Sequence, residues 1–166
     1  MAIMAEARWL DAEQQQTWLS FVAATRLLFA ELERDLQRDA GIPFSYYLIL
    51  AILSDMPDRA MRMSELAEVL QISASRLSHA FSRLEENGWV RREHCPIDRR
   101  GWIGVLTDEG LAMLKRTAPA HVESVRTHLF DQLTPQQIAE LREISGALSR
   151  HLVADASPAV RETLGV

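Results

Sequence analysis

The spacing of apolar residues predicts a chain that is mostly helical. One apolar stripe consists of Trp18, Val22, Phe29, Leu32 and Leu36. Their separations of four, seven, three and four residues put them on one face of a helix over residues 12–38. Gly41 and Pro43 then supply a helix stop and a new helix start. The next helix, residues 43–54, is apolar almost all round and is predicted to be buried.

Two short helices joined by a tight turn follow a loop at residues 55–59. Ser64 is predicted to cap the first, at residues 65–70, and Ser73 the second, at residues 74–87. This arrangement is typical of a helix-turn-helix. At 100° per residue, the inward face of the second helix consists of Leu77, Phe81 and Leu84, and the outward face of Ser75, His79, Ser82 and Arg83.

The pattern changes to strand formers after Gly88. Residues 89–94 and 102–106 are rich in β-formers and enclose a basic segment, which predicts a hairpin with its tip in solvent. Thr107 is predicted to cap a long helix that reaches about residue 131, and Thr134-Pro135 to start a last helix that reaches about residue 152. The tail from residue 154 onward is expected to be loose.

Composition bounds the class of protein. The chain has 166 residues, which favours one domain, and its single cysteine excludes an internal disulfide. The longest apolar run, residues 46–53, has eight residues, whereas a bilayer span needs about 20. The amino terminus has no signal-peptide pattern. We therefore expect a soluble cytoplasmic protein that does not bind membranes.

Charge is distributed unevenly along the chain. The net charge of −5 argues against a nucleic-acid partner when taken alone. Residues 73–102, however, carry six arginines against four acidic residues, so one basic segment lies within an acidic remainder.

Four sequence motifs within residues 63–110 resemble the MarR family, the multiple antibiotic resistance regulators. They are Asp98-Arg99-Arg100-Gly101, Leu106-Thr107-Asp108-Glu109-Gly110, Met63-Ser64-Glu65-Leu66-Ala67 and Arg83-Leu84-Glu85-Glu86-Asn87-Gly88-Trp89-Val90. The first two resemble the family's wing signature and the last two the flanks of its helix-turn-helix. The similarity covers residues 20–152.

The resemblance implies a mainly α fold with a small β-hairpin wing. Residues 43–106 would form the winged helix-turn-helix lobe, residues 10–40 and 108–152 the dimerisation helices, and residues 154–166 the loose tail. It further implies a homodimer that binds a pseudo-palindromic operator in double-stranded DNA. Such a regulator is more often a repressor, released by a small, often aromatic, ligand.

The candidate DNA-binding residues lie on the second helix of the helix-turn-helix and on the hairpin. They are Ser73, Ser75, Arg76, His79, Arg83, Arg91, Asp98, Arg99 and Arg100. Serines let a helix approach the bases closely, and arginine reads guanine through O6 and N7. In the hairpin tip, Asp98 is expected to orient Arg100 for the minor groove, while Arg99 contacts phosphate. Arg91 and Arg92 would add further positive charge.

Other residues carry two weaker hypotheses. The candidate wall of an effector pocket consists of Trp9, Trp18, Phe21, Tyr46 and Tyr47, with Arg26 as an anion partner. The alternative for these aromatic residues is core and dimer packing. Cys95 lies beside basic residues and is a candidate redox switch, the alternative being an incidental thiol.

No cofactor, metal site or enzymatic activity is expected. The five histidines lack zinc-ligand spacing, and the chain has no phosphate-binding loop or nucleophile elbow. Two alternative functions stay open: a cysteine-based redox-sensing regulator, and a helical interaction module that has lost DNA binding.

Overall fold

A computed structural model describes residues 7–96, 98 and 101–165 of the chain. Its helices are α1 (Ala12–Ala40), α2 (Phe44–Asp55), α3 (Met63–Val69), α4 (Ala74–Glu86), α5 (Asp108–His128), α6 (Pro135–Leu152) and α7 (Pro158–Leu164). Its strands are β1 (Ala60–Arg62), β2 (Val90–His94) and β3 (Trp102–Leu106). The predicted fold class, mainly helical with a small hairpin, is confirmed.

Helix ends coincide with several of the predicted capping residues. Ser73, Thr107 and Thr134 each accept a hydrogen bond from a backbone N–H of the following first turn. Gly41 ends α1 in the left-handed conformation, with φ of 67°. The predicted cap at Ser64 is wrong, because α3 begins at Met63 and no side chain caps it.

The strands form one antiparallel sheet in the order β1-β3-β2. In the predicted hairpin, Val90 pairs with Leu106 and His94 with Trp102. The sequence pattern missed β1, which follows a 3-10 turn at Pro57–Arg59 and pairs with the far side of β3. Three residues are too few to show a period of two, so only the pairing with β3 defines this strand.

A single hydrophobic core lies between α2, the sheet and the two short helices. Ile49, Leu50, Leu53, Leu66, Leu77, Phe81 and Leu84 are fully buried in it. A Cβ atom added to Gly104 on β3 would lie 2.6 Å from the ring of Phe81, so glycine lets the sheet approach α4 closely. This packing brings β3 against α4 at Gly104.

The junction of β3 and α5 depends on Thr107 and Gly110. Thr107 Oγ1 donates to the carbonyl of Gly88 (2.6 Å) and accepts from Gly110 N (3.0 Å). A side chain on Gly110 would collide with the carbonyl oxygen of Trp89. The Leu-Thr-x-x-Gly motif therefore holds the start of the long helix against the start of β2.

Two predictions for the carboxyl-terminal third need correction. The long helix α5 ends at His128 rather than near residue 131, and a 3-10 turn follows at Phe130–Gln132. The tail predicted to be loose at residues 154–166 contains α7, whose Val160 is fully buried in the core.

The described chain has no helix with both the length and the apolar character needed to cross a membrane.

Candidate nucleic-acid interface

The second helix of the helix-turn-helix, α4, has two clearly different faces. Leu77, Phe81 and Leu84 are fully buried on the inward face. Ser75, Arg76 and His79 are exposed on the outward face. The predicted inward face is confirmed, because its amphipathic spacing matches the surface that the core covers. Ser82, predicted on the outward face, is instead half-buried and accepts a hydrogen bond from Arg92. We refer to α4 as the recognition helix.

The amino-terminal end of the recognition helix is well ordered by its cap. Ser73 Oγ accepts a hydrogen bond from Arg76 N at 3.2 Å. Positive charge and free N–H groups at a helix start attract phosphate oxygens. The exposed Ser73, Ser75 and Arg76 therefore lie where a helix end can meet a nucleic-acid backbone.

Arg83, on the same helix, is exposed but already paired. Its Nη1 donates to Glu86 Oε2 at 2.8 Å. This hydrogen bond and the charge of Glu86 raise the pKa of Arg83. A phosphate would have to compete with Glu86 for this guanidinium, so Arg83 is a weaker candidate contact than Arg76.

The hairpin β2–β3 lies beside the recognition helix, and we refer to it, with the segment that connects its strands, as the wing. On β2, Arg91 faces solvent and forms an ion pair with Glu93 (2.7 Å). Arg92 faces the opposite way and contacts α4. Of the two arginines expected to add positive charge, only Arg91 is largely exposed, with 54% of its side chain accessible.

The tip of the wing is only partly described. Asp98 is exposed, and its carbonyl oxygen accepts a hydrogen bond from Gly101 N at 2.9 Å. Arg99 and Arg100 lie outside the described residues, so their predicted contacts with phosphate and the minor groove stay predictions.

Cys95 lies at the base of the wing and is buried, with 5% of its surface exposed. Its backbone N–H donates to Gly101 O at 2.9 Å. Sensor cysteines are accessible to the oxidant. The burial of Cys95 therefore favours the incidental thiol over the redox switch.

The residues predicted for an effector pocket occupy two separate places. Trp18 and Phe21, with the exposed Arg26, lie on α1, and the first two line a groove between α1 and α6. Tyr47 is buried on α2 against the ring of His121, with centroids 4.3 Å apart, and Tyr46 is half-buried beside the core. Trp9 is almost fully exposed before α1.

Burial changes the titration of the Tyr47–His121 pair. It raises the pKa of Tyr47 and lowers the pKa of His121. His121 Nδ1 is buried without a hydrogen-bond partner in the described part of the chain. Both rings therefore favour their neutral forms, which suits core packing.

A cavity that the sequence did not indicate lies behind the recognition helix. It has a volume of about 500 Å³ and lies between α1, α2 and α4. Its lining includes Phe29, Glu33, Phe44, Leu48, Arg76 and Ala80. These residues come from three separated segments, so no local pattern identifies them as neighbours.

The fold and this interface define a winged helix-turn-helix transcription regulator. A MarR-family profile matches residues 40–101. The MarR-family regulator Sco3205 of Streptomyces coelicolor, crystallised in complex with DNA, is 53% identical, with a TM-score of 0.83 over 89% of this chain and 92% of that one. AbsC, a MarR-family regulator of the same organism, is 42% identical, with a TM-score of 0.82 over 89% and 99% of the two chains.

The transcriptional regulator PecS of Dickeya dadantii is 35% identical over 94 residues, which are 57% of this chain and 56% of PecS, so the match spans about half of that protein. The chain belongs to the MarR family of transcription regulators.

Proposed function

We propose that this protein binds a specific DNA operator by inserting the recognition helix into the major groove. The observation that carries the proposal is the exposed row Ser75, Arg76 and His79 on a helix whose opposite face is fully buried. Such a helix presents its polar side chains at fixed positions, as groove recognition requires. The relative crystallised with DNA supports the same use of this fold.

Within this proposal the contacts divide by chemistry. Arg76 is the candidate guanine reader, and Ser73, Ser75 and His79 approach bases or phosphates. Arg91 adds a phosphate contact from the wing. The proposed roles of Asp98, Arg99 and Arg100 at the wing tip rest on the sequence motif alone.

We also propose that the functional unit is a homodimer. Apolar side chains on the two faces of the α1–α6 groove are unusually exposed for a single folded chain. They are Trp18, Phe21, Ile144, Leu148 and Leu152, with exposures of 55%, 48%, 57%, 45% and 77%. A contiguous apolar surface of this kind is typical of a protein interface. Two copies would present two recognition helices to half-sites about 10 bp apart.

A dimer bound across a promoter excludes other proteins from that DNA, so the proposed outcome is repression. A reporter driven by the bound promoter would then rise when the gene for this protein is deleted. A fall in reporter expression would instead indicate an activator.

The DNA-binding proposal is tested with DNA from upstream of the protein's own gene, in gel shifts at several salt concentrations. Arg76→Ala is expected to weaken binding by roughly 10-fold or more, since a bidentate arginine–guanine pair contributes about 1–3 kcal/mol. For the wild type, log affinity should fall by about 0.9 per neutralised phosphate against log salt.

The matched control is Arg34→Ala, which removes the same charge from α1, where Arg34 pairs with Glu31. This variant should bind like the wild type, and both variants should melt normally. Absence of any shift at low salt would contradict DNA binding and favour a helical interaction module.

We further propose that a small aromatic anion releases the protein from DNA by occupying the cavity behind α4. The aromatic walls Phe29 and Phe44 suit a ring, and Arg76 is a cation in the same cavity. Because Arg76 also belongs to the outward face of α4, a carboxylate bound there would compete with DNA for it.

A panel of hydroxybenzoates tests the ligand proposal in the same gel shifts. Ala80→Leu fills the cavity without changing any charge, and it should abolish release while preserving DNA binding. Release that is unchanged by this substitution would place the ligand elsewhere.

A further inference from the structure

Arg92 connects the wing to the recognition helix through contacts with four residues of α4. It is the third residue of β2, and its side chain turns toward α4 with only 20% of its surface exposed. Its neighbour Arg91, on the opposite face of the strand, is 54% exposed. The two adjacent arginines therefore have different surroundings despite identical chemistry.

The contacts of Arg92 all fall on one stripe of the recognition helix. Its Nη1 pairs with the Glu85 carboxylate, and its backbone N–H donates to Glu85 Oε1 at 2.9 Å. Its Nη2 donates to the carbonyl of Ser78 (2.8 Å) and to Ser82 Oγ (3.3 Å). Its guanidinium carbon lies 5.1 Å from the centroid of the Phe81 ring.

These four partners lie at positions i, i+3, i+4 and i+7 of α4 and so cover two turns of a single face. The planar guanidinium spans them because it carries several donors in a fixed fork and stacks on an aromatic ring. A half-buried pair with several hydrogen bonds also holds its geometry better than an exposed ion pair does.

We propose that Arg92, held by Glu85, is a positioning residue that fixes the wing at one angle to the recognition helix. This inference rests on the proposed function, since a fixed angle matters for contacting the groove and the flanking backbone together. A wing free to swing would lose conformational entropy on binding and so lower the affinity. Arg92 acts through this geometry and does not itself contact DNA.

The direction in which one isosteric substitution changes the DNA affinity separates this role from a direct phosphate contact. Glu85→Gln removes a negative charge beside the DNA surface and frees Arg92 from its partner. If Arg92 contacts phosphate, electrostatics predicts tighter DNA binding by this variant. If Arg92 positions the wing, the same change weakens binding.

The experiment compares wild type, Glu85→Gln, Arg92→Ala and the double variant on the operator fragment over a range of salt. We expect each single variant to bind roughly 10-fold more weakly, the size of one charge-assisted hydrogen bond, and the double variant to be little worse than either. The salt slope should equal that of the wild type, since no phosphate contact is lost.

Arg92→Lys keeps the charge but lacks the fork, and it should not restore wild-type affinity. Amide hydrogen exchange of β2 and β3 should be faster in Glu85→Gln than in the wild type. This variant retains the side-chain shape, so the measurement stays informative even if Arg92→Ala folds poorly.

Three results would overturn the positioning role while the wild type binds normally. These are unchanged or tighter binding by Glu85→Gln, a salt slope reduced by about 0.9 in Arg92→Ala, and full rescue by lysine. Failure of the wild type to bind any fragment would instead overturn the proposed function, and with it the positioning role of Arg92.

Discussion

Asp35 joins the two longest helices of the chain through a single carboxylate. Its Oδ2 accepts a hydrogen bond from Ser124 Oγ (2.6 Å) and contacts His128 Nε2 at 3.0 Å, both on α5. Its Oδ1 accepts from Arg38 Nη1 at 2.6 Å. The hydrogen bond from Ser124, with those of His128 and Arg38, lowers the pKa of Asp35 from 3.8 to about 2. The ionised form therefore holds α1 against α5 at neutral pH.

Asp35→Asn should lower the melting temperature at neutral pH, because a neutral amide loses the charge-assisted bonds. A carboxyl with a depressed pKa stabilises the fold fully above its ordinary value of 3.8 and loses this contribution as pH falls toward about 2. The difference in melting temperature between wild type and variant should thus narrow as pH falls below 3.8. Calorimetry at equal protein concentration measures both melting temperatures. A difference that does not change with pH would contradict a stabilising role for ionised Asp35.

At the scale of elements, α7 shows how a weak local signal becomes a defined structure. Ser157 and Pro158 repeat the cap and first-turn proline of Thr134 and Pro135 at the start of α6. The helix has only seven residues, which is too short to be stable alone. Burial of Val160 and the hydrogen bond from Ser157 N to Glu68 Oε1 on α3 (2.9 Å) stabilise it.

Val160→Ala should destabilise the protein by about 2 kcal/mol, as expected for removing methyl groups from a closed core. Urea unfolding measures the change, with Glu162→Ala as the control on the exposed side of the same helix. A Val160→Ala variant as stable as this control would mean that α7 does not pack on the lobe in solution.

At the scale of the whole molecule, the arginine-rich segment and the apolar α1–α6 groove belong to different elements. The net charge of the chain is −5, yet residues 73–102, which contain the recognition helix and the wing, carry six arginines against four acidic residues. Five exposed apolar side chains, Trp18, Phe21, Ile144, Leu148 and Leu152, instead line the α1–α6 groove. In the proposed function, one of these surfaces meets DNA while the other meets a second copy of the chain.

Leu148→Asp should convert the proposed dimer to monomers, because a carboxylate at an apolar interface is left without a partner. Arg142→Asp introduces the same side chain on an exposed position of α6 outside the groove lining and should leave the dimer intact. Light scattering after size-exclusion chromatography distinguishes the two outcomes. A dimeric Leu148→Asp protein would remove the groove from the proposed interface.

Local patterns predicted the elements whose signals lie within a single segment. The stripe on α1, the inward face of α4 and the caps at Ser73, Thr107 and Thr134 depend on neighbours within about seven residues. The hairpin was predictable because it joins two strands that follow each other in the sequence. The cap at Ser64 failed because α3 begins at Met63, directly after β1, and no side chain caps it. The aromatic residues of α1 and α2 were predicted to line one pocket, but they occupy separate places, since composition does not show which helices face each other.

The sequence by itself determined the fold class, the wing motif and the chemistry available on the recognition helix, because helical periodicity, capping and turn formation are local. Only the tertiary structure decided that Arg92 contacts α4 while Arg91 faces solvent, that Cys95 is buried, and that Val160 belongs to the core. Each of these depends on contacts between different elements, where the free energy comes from packing and not from the order of neighbouring residues.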